Sequence, residues 1–175
     1  MRLEFGLHRA RGVCSFCAVS RVSSFARYWL PVLFWMLLIF GASSDTASAQ
    51  RSSRIIGPIV HWLFPRMPEP DVERIIFHAR KAAHFTEFAV LAVLLWRAAR
   101  KPRRGEPQLW RWSTAFGVFL FAVAFAVSDE LHQGYVPTRT ASAWDVLIDS
   151  MGAATGLLLT ACVCRWLERR RGNKC

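Results

Sequence analysis

Residues 28–42, YWLPVLFWMLLIFGA, run without a charge, and three later stretches, 82–99, 112–127 and 146–166, carry at most two charges each. Runs of roughly 15 to 21 residues approach the ~20 apolar residues a helix needs to cross the hydrocarbon core of a bilayer. They are too long and too uniformly apolar for the in-and-out alternation of barrel strands. Nor do they show the charged stripe of a surface helix in a soluble bundle. In lipid every backbone N–H and C=O must be satisfied within the segment, which leaves the helix as the spanning element. The sequence has 175 residues, of which 53% are hydrophobic and 20% charged, enough for one such domain. The reading is therefore all-α: an integral membrane bundle of four transmembrane helices. A soluble bundle of deeply buried helices is the alternative.

The formal net charge of +11 orients the chain instead of pointing to nucleic acid, because the basic residues sit in particular flanks. Arg2, Arg9, Arg11, Arg21 and Arg27 precede the first run; Arg97, Arg100, Lys101, Arg103, Arg104 and Arg111 separate the second from the third; Arg165, Arg169, Arg170, Arg171 and Lys174 end the chain. By the positive-inside rule both termini and the second connector face the cytoplasm, and the connector between runs three and four faces outward. Six basic residues in 43–81 oppose this assignment and the acids Asp45, Glu69, Asp71 and Glu73 offset them in part. The chain divides into a basic leader (1–27), a membrane domain (28–166) and a basic tail (167–175). Anionic lipid headgroups at the cytoplasmic face are the expected partners of the flanks, and no nucleic acid is expected. The leader, the first run and Ala47-Ser48-Ala49 also fit a cleavable signal peptide, which would leave three spans.

Cys14 and Cys17 have the spacing of a redox or metal pair, but two ligands do not make a structural zinc site, and no metal or other cofactor is assigned. No P-loop, G-x-G-x-x-G or G-x-S-x-G is present, so nucleotide, dinucleotide and hydrolase-elbow chemistries have no support.

Polar residues gather where the runs should meet the outer face. Pro58, Pro65, Pro68 and Pro70 divide residues 57–70 into short pieces, with Ile55–Phe64 lying in the interface, and a helix is expected after Pro70 with Asp71 as its cap. On it Lys81, His84 and Glu87 are spaced i, i+3, i+6 and share one side. Span three ends in Asp129, Glu130, His132 and Gln133, stopped by Gly134 and Pro137. Span four opens with Ser142 and Asp145, which fit a capping box. Asp149 follows one turn deeper, and Gly152 and Gly156 continue its stripe as a G-x-x-x-G contact face. With spans two and four entering from outside and span three leaving, these residues and Arg139 converge on one cavity at the outer leaflet. Glu87 and Asp149 lie inside the apolar zone and need partners; Glu87 is expected to contact His84 or Lys81, and Asp149 to face span two or three.

Ser43-Ser44, K-x-x-H at Lys81–His84, D-E-x-H-Q at Asp129–Gln133 followed by Arg139, and D-x-x-x-[ND]-x-x-G at Asp145, Asp149 and Gly152 together resemble the VanZ-like family of small bacterial membrane proteins. The match spans about residues 28 to 166, and Asp149 stands where Asn is common. The resemblance implies a multi-pass protein of the bacterial cytoplasmic membrane, a cell-envelope setting and a link to glycopeptide, specifically teicoplanin, resistance. It implies no particular reaction. Two function classes stay open. In the first, an enzyme acts on a lipid-linked or amphipathic envelope compound. His84, Glu87, Asp129, Glu130 and His132 are its candidate acid–base residues, and Lys81, Gln133, Arg139, Asp145 and Asp149 hold the substrate. In the second, the same residues serve a non-catalytic binder or a small proton-coupled transporter. D-E-x-H is not a recognised zinc spacing.

Overall fold

The computed structural model of the chain describes residues 25–42, 48–101, 109–134 and 142–172. Five helices make up the described residues: α1 (Phe25–Ala42), α2 (Ser48–Leu63), α3 (Glu69–Arg100), α4 (Trp112–Gly134) and α5 (Ala143–Gly172). Four of them, α1, α3, α4 and α5, are long and apolar enough to cross a membrane. The all-α, four-span architecture is the one the apolar runs predict. At 1.5 Å per residue the 32 residues of α3 extend about 48 Å, well beyond a hydrocarbon core of ~30 Å. Its first three turns thus have a different environment from its apolar second half.

Those first turns carry α2. Val60 of α2 packs on Val72 and Ile76 of α3, with Ile56 and Met67 closing the cluster. His61 Nε2 lies 3.3 Å from Glu69 Oε2. Proline spacing predicts fragments over 57–70, yet α2 is a continuous helix with Pro58 inside it. A proline forfeits one i→i−4 bond, and burial of the Ile56/Val60 face against α3 outweighs that loss. The breakers Pro65 and Pro68 instead confine the turn at 64–68, and α3 begins at Glu69 with Pro70 in its first turn, where a missing N–H costs no helical bond. Asp71 is therefore a first-turn residue and not the cap; it pairs with Arg74 at 3.0 Å.

The bundle is organised around α3 and α5. Gly152 and Gly156 of α5 lie against the backbone of Phe85 and Ala89 of α3, and a Cβ at either glycine would run into the facing carbonyl oxygen. Both contacts advance by four residues in the same direction, so α3 and α5 run parallel and touch backbone to backbone, the close approach that small-xxx-small spacing permits. α4 runs back between them: Ala115, Val118, Ala122 and Ala126 are buried at successive turns, and Phe88 of α3 meets Phe125 with ring centroids 6.0 Å apart. α1 joins through Val32 and Ile39, both 1% exposed, and through Trp35, whose indole N–H donates to the Glu87 carbonyl at 2.9 Å. Its outer face, with Phe34 and Leu37 exposed, is apolar, as are Phe116, Leu131 and Leu159 on the other spans. Such a surface is stable in lipid and not in water. The Cys14–Cys17 pair, Ser43-Ser44 and Arg139 lie outside the described residues.

Candidate functional site

The parallel register of α3 and α5 brings their polar residues level. One turn above the Gly152–Phe85 contact, Lys81 Nζ pairs with Asp145 Oδ1. The same ammonium stands 5.3 Å from the centre of the Phe77 ring. Next, His84 Nδ1 faces Asp149 Oδ1 at 3.8 Å, an electrostatic approach that is longer than a hydrogen bond. Below these the glycines close the helices together. The polar contacts and the small-residue contacts are therefore successive rungs of one interface. A residue added at Gly152 would disturb both.

The end of α4 completes the cluster from the opposite direction. Asp129 is 1% exposed and Glu130 5%, and Gln133, also buried, donates from Nε2 to Asp129 Oδ2 at 3.0 Å across one helical turn. Glu130 Oε1 accepts the backbone N–H of Ser142 at 2.7 Å. A side chain from α4 thereby holds the start of α5, since the N–H groups that precede a helix have no intrahelical acceptor. His132 turns towards α1, where its ring stacks on Phe40 with centroids 4.3 Å apart. Asp149 lies within electrostatic range of Asp129, Asp145, Glu130 and Glu87. Five carboxylates from three helices thus face one Lys and one His of α3.

These contacts revise the expected pairings. Lys81 and His84 meet the acids of α5, Asp145 and Asp149, and not Glu87. Glu87 lies one turn farther along α3, half-buried, with Asp129 as its electrostatic neighbour. Asp149 does face span two and not lipid. Asp145 is engaged by Lys81; its own N–H bonds the Ser142 carbonyl at 2.9 Å. Arg139 falls outside the described residues. Of the ten candidates, the other nine all belong to or border this cluster. Phe40, Trp35 and Ser142 also touch it and are not among the candidates. Phe40 sits at the end of the first apolar run, where nothing in its apolar pattern marks a histidine contact.

The cluster also has an unfilled requirement. Asp149 is 2% exposed, and its Oδ1 accepts no hydrogen bond among the described residues. A buried oxygen without a donor costs roughly 1–3 kcal/mol, and buried polar groups are ordinarily satisfied by protein or water. Among the described residues no group of three His, Cys, Asp or Glu side chains has an arrangement that could hold a metal ion. The arrangement suits proton exchange between carboxylates and imidazole, or reception of a donor group from a ligand.

Comparison with curated proteins and with solved structures returns no match. Residues 28–165 match the VanZ/LLP1 family, a span that runs from the first turns of α1 to the last turns of α5 and encloses every residue of the polar cluster. The chain is a VanZ-like membrane protein of the VanZ/LLP1 family.

Proposed function

We propose that the polar cluster is a site at the outer face of the bacterial cytoplasmic membrane for a lipid-linked or amphipathic cell-envelope compound, and that the protein contributes through it to glycopeptide resistance, teicoplanin being the compound of first interest. The observation that carries this reading is the burial of Asp129, Glu130, Gln133 and Asp149 in helices otherwise apolar enough to span a bilayer. Each ionisable residue placed at the centre of a membrane helix costs about 2.5–3.5 kcal/mol on insertion scales. A fold that needed only to pack would place alanine at those positions, as α4 does at Ala115, Ala122 and Ala126. An amphipathic ligand suits a polar end set in an apolar wall, because its tail stays in lipid while its polar part meets the carboxylates.

Binding with proton exchange is favoured over turnover by a specific observation: two of the cluster's charged candidates, one substrate-holding and one acid–base, already have structural partners. Lys81 is held by Asp145, and Glu130 by the Ser142 N–H. His84 Nδ1 and Asp149 Oδ1, 3.8 Å apart, form the imidazole–carboxylate pair through which a proton would pass. Teicoplanin susceptibility of a sensitive host tests the reading when the wild type, His132→Ala and Asp149→Asn are expressed at matched membrane levels. Both variants are expected to lose protection while inserting normally; full protection by both would reduce the cluster to a helix end. Incubation of the purified protein with an envelope lipid extract, followed by mass spectrometry, separates the classes: unchanged lipids support the binder, and a new lipid product supports the enzyme.

A further inference from the structure

The bundle end remote from the polar cluster holds a second feature. There Ala115 of α4 and Ala154 of α5 floor an apolar groove of about 290 Å³ walled by Trp110, Trp112, Phe116, Phe119, Leu157 and Leu158. Phe116 and Leu158 are also part of the outer surface, 65% and 58% exposed, so the groove opens towards the surrounding lipid.

Two polar features stand at its rim. The Arg165 guanidinium lies 5.7 Å from the centre of the Trp112 ring, and Arg111, exposed, sits between Trp110 and Trp112 in sequence. Trp110 is itself 5% exposed and stacked on Trp96, with centroids 5.7 Å apart, and its buried indole N–H meets no acceptor among the described residues. An indole at a membrane interface ordinarily has its N–H satisfied. Glu168 Oε1 takes the backbone N–H groups of Leu109 at 2.6 Å and Trp110 at 3.3 Å, and not the indole. The last turn of α5 adds Arg169, Arg170 and Arg171 to this end.

We infer that the groove holds an acyl chain of an anionic phospholipid, its headgroup paired with Arg165 and Arg111. The apolar lining matches a hydrocarbon chain. The basic rim selects the headgroup, because cationic side chains at a membrane surface each favour an anionic lipid by about 1 kcal/mol. A second copy of the chain fits less well, since its approach would set two arginine-rich helix ends against each other. The inference does not depend on the polar cluster or on its ligand.

The test is tryptophan quenching in phosphatidylcholine vesicles that contain a rising fraction of brominated phosphatidylglycerol, with brominated phosphatidylcholine as the control. The wild type is expected to show a component that saturates at low phosphatidylglycerol content, with a preference of about fivefold or more over phosphatidylcholine. Arg165→Gln should reduce that preference, and Ala154→Leu, which fills the groove, should abolish the saturating component. Equal quenching by the two lipids would overturn the inference, as would a preference that survives both substitutions. If Ala154→Leu fails to fold, as read by circular dichroism, Arg165→Gln decides alone. Loss of a crosslinked dimer in Ala154→Leu, with lipid preference unchanged, would assign the groove to a second copy and also overturn it.

Discussion

The two ends of this bundle use carboxylates in opposite ways. At the tryptophan end Glu168 reaches from α5 to the chain just before α4 and takes two backbone N–H groups, while Arg100 Nε donates to the Leu109 carbonyl at 3.2 Å. The acid there has become part of the chain's hydrogen-bonding scheme, and its effect is to lock the α3–α4 connector to α5. At the polar end Asp149 is more deeply buried and yet has an oxygen with no hydrogen bond among the described residues, beside a histidine at 3.8 Å and four other carboxylates. A fold gains nothing from such a group, which costs free energy unless something else meets it. Burial alone does not separate the two acids; the state of each acceptor does.

The strongest way to break the comparison is to remove its common frame. Gly152→Val would drive a branched side chain into the Phe85 carbonyl and force α3 and α5 apart. Overpacking of that kind costs about 1–3 kcal/mol or more, and here it also separates Lys81 from Asp145 and His84 from Asp149. The expected outcome is loss of a monodisperse folded protein in detergent, read by size-exclusion chromatography. Gly117, whose Cβ would meet nothing, is the control: Gly117→Ala should behave as wild type.

A smaller effect is expected at the tryptophan end. Glu168→Ala leaves the Leu109 and Trp110 N–H groups without their acceptor, at roughly 1–3 kcal/mol for a buried unsatisfied group. For a chain of this size that is a fall of several degrees in thermal unfolding temperature, at about 2–4 °C per kcal/mol. The same variant should not alter teicoplanin susceptibility per folded molecule. A change in that quantity would blur the division between the ends.

Smaller again is the Lys81–Asp145 pair, whose side chains are 25% and 19% exposed and therefore partly hydrated. Lys81→Met should destabilise by about 1 kcal/mol because Asp145 is left without its cation, and Asp145→Asn should restore most of the loss in the double variant. Strict additivity in that cycle, measured by thermal unfolding, would show that the pair is a surface coincidence and not a rung of the α3–α5 interface.

The ease with which the sequence discloses the fold follows from the solvent. Lipid requires long uninterrupted apolar runs, and those are visible without any partner, so the spans at 28–42, 82–99, 112–127 and 146–166 each fall inside an observed helix. The G-x-x-x-G stripe beneath Asp149 was equally legible, because small residues four apart have few other uses in a membrane helix. The helix α2 was not, since Pro58 reads as a breaker and the compensating burial against Val72 and Ile76 is tertiary. Pairing was the least legible feature. Helical spacing shows that Lys81, His84 and Glu87 share a side, but not which acid on another helix that side meets. The Lys81–Asp145 contact spans 64 positions and depends on the parallel register that only the glycine contacts set. Local spacing favoured Glu87 as the partner because it lies nearest in sequence.

The most direct measurement is a comparison of Asp149→Asn with Glu168→Gln in thermal unfolding of the purified protein without added ligand. Both substitutions preserve shape and turn a carboxyl group into an amide, so they differ in what the acid does for the fold. If Asp149 is kept for a ligand, its amide isostere costs the fold nothing and the unfolding temperature stays level or rises, while Glu168→Gln, which weakens a charge-assisted acceptor of two backbone N–H groups, lowers it. A fall in Asp149→Asn as large as that in Glu168→Gln would contradict the account, because it would make Asp149 one more structural acid.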